Sequence, residues 1–177
     1  LLYTVSESGH GVVGCDLSTG DHFVEIAQVA GVNGISVGDG SLYVAQGNGE
    51  VKAFDATTGA PGWVLQSNGG GGRISASGSN VMYYSSAMSS IDVQQRGNLA
   101  AIDGTGAITQ WAPTADGTVR SLAVDGNGIV VGGECTNIDG TARSRLARID
   151  RTSGVLDSWD PNANGTVLAV EVDSGVT

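Results

Sequence analysis

Lysine is all but missing from this chain: Lys52 stands alone among 177 residues. Charged side chains amount to only 15%, and the acidic ones outnumber the basic ones by 18 to 8, for a formal net charge of −10. A surface of that sign repels nucleic acid and anionic lipid and argues against both as partners. Proline occurs three times, and cysteine and histidine twice each. Cys15 and Cys135 have no metal-ligand spacing and no C-x-x-C neighbour, so no metal is expected through them. No apolar run approaches the roughly 18 residues of a membrane-crossing helix, so no membrane insertion is expected. No stretch repeats its apolar residues at helical spacing. No signal-peptide pattern is visible, and the chain opens at Leu1 without Met, which suggests a processed form or a piece of something longer.

Glycine, by contrast, is abundant, at 29 residues. Without a Gly-X-Y period it signals many tight turns rather than collagen. Short runs rich in Val, Ile, Thr and Ser lie between those turns, so the class is all-β. The chain also repeats itself. Aspartates close one strand of each unit at Asp16 (VVGCD), Asp55 (VKAFD), Asp103 (LAAID) and Asp150 (LARID), in steps of 39, 48 and 47 residues. A glycine follows each (Gly20, Gly59, Gly106, Gly154), and an aromatic then follows at Phe23, Trp63, Trp111 and Trp159. Periods in the forties match the four-stranded antiparallel blades of a β-propeller. In D-x-x-T-G turns the carboxylate is expected to cap backbone N–H groups two or three residues on, while the glycine takes a positive φ. The four aromatics are expected to wedge between adjacent blades.

This reading makes 1–177 a single propeller domain of about four blades, near 32–66, 72–111, 117–159, and 166–177 joined with 1–28. The chain ends on a first strand, GTVLAVEV, and begins on a second, LLYTVS. Pairing of Val167–Val172 with Leu1–Ser6 would close the ring and hide both open edges. A cut from a larger propeller, or two chains sharing one ring by self-association, is the competing reading.

The stretch GTVRSLAVDGNGIVVGGECTNIDGTARSRLARIDRTSGVLDSWDPNANGTV resembles the delta-60-type propeller repeat of large secreted bacterial proteins. VKAFDATTGAPGW is more similar to the repeat of pyrroloquinoline-quinone propellers, where the Trp closes each blade against its neighbour. The resemblance implies a propeller and export to the extracellular space or cell surface. It implies little about function, because such repeats occur in adhesins, surface proteins and phage tail proteins.

No motif for chemistry stands out. Quinone enzymes of the resembling family use adjacent cysteines and a calcium site, and neither is present, so no cofactor is expected. There is no G-x-S-x-G, and His10 and His22 have no nucleophile beside them; with Asp16 and Asp21 near, they suggest at most a zinc site. DGNG and NIDG carry one carboxylate per turn, short of a calcium loop. Gly69–Arg73 (GGGGR) lacks the following helix of a phosphate cradle and reads as a flexible inter-blade loop. The four arginines 143, 145, 148 and 151 form either a small basic patch or pairs with local aspartates. Two inserted loops, Ala87–Gly97 and Glu134–Ser144, align with each other, with Ile91 and Ile138 as hydrophobic plugs. Inserted loops on one face are where repeat proteins place binding, so Arg96, Asp139 and Arg143 are the candidate binding residues. The expected function is a non-enzymatic binding or scaffold module of an exported bacterial or phage-tail protein, with a protein or glycan ligand. The alternative is a lectin or carbohydrate-active enzyme using the funnel of the ring, although Glu171 is nearly the only carboxylate on an inward strand.

Overall fold

The computed structural model describes residues 2–5, 11–27, 29–78 and 80–173, with backbone alone for 22–27. Every regular element among them is a β-strand. β1 (Leu2–Val5), β2 (Gly11–Cys15) and β3 (His22–Ala27) form one antiparallel sheet. β4 (Val32–Gly38), β5 (Ser41–Gln46), β6 (Glu50–Asp55) and β7 (Pro61–Gln66) form a four-stranded meander. β8 (Arg73–Ser77) and β9 (Asn80–Tyr84) open the third sheet. A loop carrying the two-residue strands β10 (Ser90–Ile91) and β11 (Gln94–Gln95) then leads to its last strand, β12 (Leu99–Ile102). The fourth sheet repeats that plan: β13 (Val119–Asp125), β14 (Gly128–Gly133), the looped pair β15 (Asn137–Ile138) and β16 (Thr141–Ala142), then β17 (Leu146–Asp150).

Only the β4–β7 sheet has the four full strands anticipated for each blade. In the two sheets that follow it, the fourth segment touches the third through single bridges, Ile102 with Ile108 and Ile149 with Leu156. Two causes are visible. The Arg96 guanidinium takes the Thr109 carbonyl (2.6 Å) and that of Arg143 takes the Asp157 carbonyl (2.7 Å), acceptors that a longer ladder would use. Pro113 and Pro161 then follow within a few residues, and proline has no N–H to give a ladder.

The sheets stack because each strand alternates its side chains between two neighbours. On β5, Leu42 and Val44 face the first sheet, where Val12, Tyr3 and Val5 meet them. Tyr43 and Ala45 face the third sheet and pack with Val81, Tyr83, Ala100 and Ile102. Met82, Tyr84, Leu99 and Ala101 of that third sheet point the other way, onto Leu122, Ile129, Val131, Ala147 and Ile149. A middle sheet is thus apolar on both faces, and its second strand is a buried run, from Leu42 in β5 and from Val81 in β9.

Tryptophan ties successive sheets together. The Trp63 indole N–H reaches forward to the Gly104 carbonyl (3.2 Å), and that of Trp111 to the Asp150 carbonyl (2.9 Å). Both acceptors lie in the Asp-to-Gly turn of the next blade, DGTG at Asp103 and DRTSG at Asp150. The glycine of that turn is the floor for the ring. A Cβ on Gly106, whose φ is +89°, would stand 2.5 Å from Trp63 Cγ, and Gly154, at φ +74°, lies under Trp111. Trp63 also stacks at a tilt on Tyr43, centroids 5.7 Å apart. Trp111 is 4% exposed, whereas Trp159, the third of the series, is 43% exposed and wedges between no two of the described sheets. The Phe23 side chain lies outside the described residues.

Among the described residues no pairing of the two termini is seen. Val167–Val172 lies along the fourth sheet, where the Val167 N–H donates to Gly133 O (3.0 Å) and the Val170 N–H to Ser121 Oγ (3.1 Å). Among the described residues it forms no ladder with β1, whose register is with β2; Leu1 and Ser6 lie outside them. The sheets form an arc whose last face has no further sheet upon it. Replacing Trp111 by Ala is expected to cost about 3–5 kcal/mol in urea unfolding, because it removes both the wedge and its hydrogen bond across a close-packed seam. A loss below about 1 kcal/mol would contradict the wedge role.

Candidate binding surface

The arc has two ends of different construction. One carries the D-x-x-T-G turns. There the carboxylates of Asp16, Asp55, Asp103 and Asp150 accept from the turn's own groups: Ser18 N and Thr19 N; Thr57 N and Thr58 N; Thr105 N and Ala107 N; Thr152 N and Ser153 N. In each turn a Ser or Thr hydroxyl donates to the same oxygen. These donors hold all four carboxyls below their ordinary range. The turns are small, capped and alike, and serve the seam between blades.

The opposite end carries the inserted loops and the chain's passages between blades. Each loop is locked onto the passage that enters its own blade. The Ile91 and Ile138 side chains are fully buried, and their backbones bridge Ser67 and Ala115 of the two passages. Beside them Asp92 and Asp139 adopt positive φ (48° and 49°). The Asp92 N–H donates to Gln66 O (2.6 Å) and its carboxylate accepts from Gln66 N (2.8 Å). Asp139 does the same with Thr114, at 2.9 and 2.7 Å. A second clasp closes from the passage side. Asn68 Oδ1 accepts from Ser89 N and Ser90 N (3.0 and 2.9 Å). Asp116, in the same place one repeat later, accepts from Thr136 N (2.7 Å) and Asn137 N (3.0 Å), and through Oδ2 from Thr136 Oγ1 and Asn137 Nδ2, both 2.7 Å.

Each of the three residues anticipated as binding groups makes hydrogen bonds within the chain, although the buried Nε of Arg96 and of Arg143 has no partner among the described residues. Asp139 is part of the clasp. Arg96 gives its guanidinium to the carbonyls of Gln95 and Thr109 and to Gln94 Oε1, and Arg143 to the carbonyls of Ala142 and Asp157. Two more arginines of the cluster are likewise spent locally. Arg148 pairs with Asp125 (2.7 Å) and Asp157 (3.0 Å), and Arg151 donates to Ser77 O of the preceding blade. The GGGGR passage is packed rather than loose: Gly69 and Gly72 are buried, and a Cβ on Gly72 would fall within 2.0 Å of the Tyr83 hydroxyl.

What remains open at this end is a recess of about 540 Å³ between the inner strands, lined by Arg73, Tyr84, Ser86, Thr118, Arg120 and Leu168 among others. Arg120 is ion-paired with Glu134. Arg73 is exposed and makes no hydrogen bond or ion pair among the described residues. Val93, at the tip of the first inserted loop, is 93% exposed. Sequence reasoning missed Arg73 and Arg120 as lining residues, and it missed Asn68 and Asp116 as clasps. The clasps carried a signal all the same, since NGGGG, TADG and NANG place Asn68, Asp116 and Asn164 at one phase of the 48-residue period.

Among the described residues no group of three or more His, Cys, Asp or Glu side chains converges on a point that could hold a metal. His10 and the His22 side chain lie outside them. Cys15 and Cys135 are free thiols, and burial, then the nearby Asp116 charge, pushes the Cys135 thiol up. Glu171 lies at the turn end, beside Ser75–Ser77 and Leu122–Val124, away from the recess. Among the described residues no helix is long and apolar enough to cross a membrane.

The clasp at Asp116 is tied to its charge. Burial opposes ionisation, but the donors of Asn137, then those of Thr136, outweigh it and hold the carboxyl far below the usual carboxylate range. A folded-state value below the unfolded one, about 3.9, means stabilisation that is complete above that value and is lost as pH falls below it. Asp116→Asn keeps the two backbone acceptances, as Asn68 does, and removes the titration. The melting-temperature gap between the parent and D116N is expected to be widest near neutral pH and to narrow on descending below about pH 4. A gap independent of pH would contradict the charged clasp.

Residues 1–175 match the model of a family described as outer membrane protein assembly factor BamB, and the match runs through both the quinone-propeller-like beginning and the repeats from Leu99 onward. No curated protein matches the chain. Among solved structures, the computationally designed Ika8 protein is similar at 17% identity and TM-score 0.65, over 97% of this chain and 49% of that one. BamB from Moraxella catarrhalis is similar at 20% identity and TM-score 0.57, over 90% and 47%. The hydrazine synthase of Kuenenia stuttgartiensis is similar at 19% identity and TM-score 0.63, over 87% and 44%. The chain therefore spans less than half the length of each, and at these identities the likeness speaks for the fold alone. The propeller blades and a family match over nearly the whole sequence agree: the chain belongs to the family described as outer membrane protein assembly factor BamB.

Proposed function

We propose that the chain is a non-enzymatic, protein-binding scaffold module of a non-cytoplasmic bacterial assembly factor, and that the loop end of the arc is its binding face. The observation that carries this reading is the double clasp. Two inserted loops are fixed to the scaffold by buried isoleucines and by backbone and carboxylate hydrogen bonds, so they present a preformed surface that loses little entropy on binding. Between and beside them lie an exposed apolar tip, Val93, and an uncommitted cation, Arg73, over a polar recess. This combination suits an extended protein segment carrying a carboxylate, held by Arg73 while its apolar side chains lean on the loop tips. The family description, an assembly factor of the outer membrane, points in the same direction. An extracellular or cell-surface position is the finer reading, in keeping with the acidic, lysine-poor composition. Carbohydrate chemistry draws no support from the recess, where Glu134 is tied to Arg120 and no second carboxylate faces it.

Panning the purified chain against a random peptide display library, with a glycan array in parallel, tests this. Enriched peptides are expected to carry an acidic residue and to lose about tenfold in affinity on Arg73→Ala, and no more than about twofold on Thr57→Ala at the turn end. Specific glycan binding without peptide enrichment, or peptides indifferent to Arg73, would overturn it.

A further inference from the structure

At the inner edge of a blade, one residue of the first strand stands directly opposite one of the second, and both side chains face the next blade. In the second sheet this pair is Gly34 and Ala45, and in the fourth it is Ser121 and Gly132. Both pairs are small, and the chain that follows packs closely on them. A Cβ on Gly34 would lie 3.5 Å from Ile74 N, and one on Gly132 would lie 2.6 Å from Val167 Cγ1. A serine hydroxyl then ties each inner strand to its successor: Ser36 Oγ accepts from Ala76 N (2.8 Å) and Ser121 Oγ from Val170 N (3.1 Å). In the third sheet the same pair is Arg73 and Tyr84. Two large side chains hold the inner strands apart there. Among the described residues no hydrogen bond joins β8 to β13, and the recess of about 540 Å³ opens between them.

Tyr84 is only 8% exposed and lines this recess, yet its hydroxyl makes no hydrogen bond among the described residues. The hydroxyl of Tyr83 beside it reaches Gly69 O (3.4 Å). Burial pushes the Tyr84 phenol up, against a smaller opposing pull from the Arg73 charge, so at neutral pH the phenol keeps its proton to donate. Arg120 on the facing strand is paired with Glu134, which leaves Arg73 as the lining cation without a counter-ion among the described residues. One uncompensated positive charge matches a monoanion. A dianion would bring a second charge with nothing to pair it, into a chain whose net charge is already −10. We propose that this seam is a carboxylate slot in which Arg73 supplies the charge and the Tyr84 hydroxyl the second donor. Tyr84 is then the specificity-determining residue, because an amide in the slot would turn a donor toward donors and leave them unpaired. The inference rests on the peptide-binding reading above and deepens it. The carboxylate comes from an acidic side chain or from a chain terminus of the partner, which the slot recognises by the same chemistry.

Titration with three tripeptides at constant ionic strength, followed by two-dimensional NMR at the amides of Ser86, Thr118 and Arg120, tests it. Acetyl-Ala-Asp-Ala amide carries a side-chain carboxylate alone, acetyl-Ala-Ala-Ala a terminal carboxylate alone, and acetyl-Ala-Ala-Ala amide neither. At least one of the two acids is expected to bind with a dissociation constant of about 1 mM, and the tighter of them identifies the source. The neutral peptide is expected to leave the signals unmoved. Arg73→Ala and Tyr84→Phe are each expected to weaken the acid by about tenfold, with far-UV circular dichroism unchanged. Tyr84→Phe keeps the ring that holds the seam open, so its loss reports the hydroxyl itself. No shift with either acid up to about 20 mM would overturn the slot. So would equal binding of the neutral peptide, or acid binding indifferent to Tyr84→Phe. Panned peptides that need Arg73 but not the Tyr84 hydroxyl would likewise overturn this inference while leaving the peptide-binding reading intact.

Discussion

A sheet that is apolar on both faces needs a neighbour on each side, and every other feature of this chain follows from that requirement. β9 is buried from Val81 to Tyr84 and β14 along its whole length, with no polar side of the kind that lets an antiparallel sheet face water. Stacking satisfies the faces, and the right-handed twist of each sheet turns the stack into an arc. The indole bond from one blade to the turn of the next links the second sheet to the third and the third to the fourth. It uses one residue type, tryptophan, that supplies a large apolar body and a single donor. Gly106, beneath Trp63, has two duties at once, since the turn has a positive φ there and the indole leaves no room for a Cβ.

The loops show how the same scaffold gains rigidity where it is irregular. A passage between blades is short of ladder partners and would expose its backbone groups. Here each passage meets the inserted loop of the blade it enters, and the two satisfy each other's N–H and carbonyl groups. The β4–β7 blade has no insert, and it solves the same problem with a backbone bond from Gly47 N to Gly31 O (2.7 Å) and a side-chain bond from Gln46 Nε2 to Ala30 O (2.7 Å). Loop length can therefore change from blade to blade without loosening the passage, which is what a binding face needs if its loops are to vary.

The blade repeat was legible because its markers are local: an aspartate, a glycine and an aromatic at one phase, each with a turn or a wedge as its physical consequence. The hydrogen bonds of Asp16, Asp55, Asp103 and Asp150 lie within four residues, so the sequence alone could suggest them. What a single sequence could not reveal depends on contacts between units. Arg96 and Arg143 look like free cations on inserted loops, yet each closes on a carbonyl 13 or 14 residues away. The shortened fourth strands follow from the same arginines together with Pro113 and Pro161. The expected seam between Val167–Val172 and Leu1–Ser6 read as an unbroken repeat, but continuity of pattern says nothing about curvature. The angle between blades is set by side chains packed at the seams, and the repeat is compatible with rings of several sizes.

That distinction governs how function sits on this fold. The turn end repeats itself almost without variation and is consumed by the seams. The two terminal faces are apolar and suited to more of the same repeat. The loop end alone has different residues in successive blades: Gly47–Gly49 in one, an exposed Val93 in the next, the Arg120–Glu134 pair in the third. Recognition needs chemical difference between neighbouring positions, and a repeat supplies it only where its packing does not demand identity. Under the proposed function, a loop end that is both variable and clasped is the surface on which a partner would be told apart from its competitors.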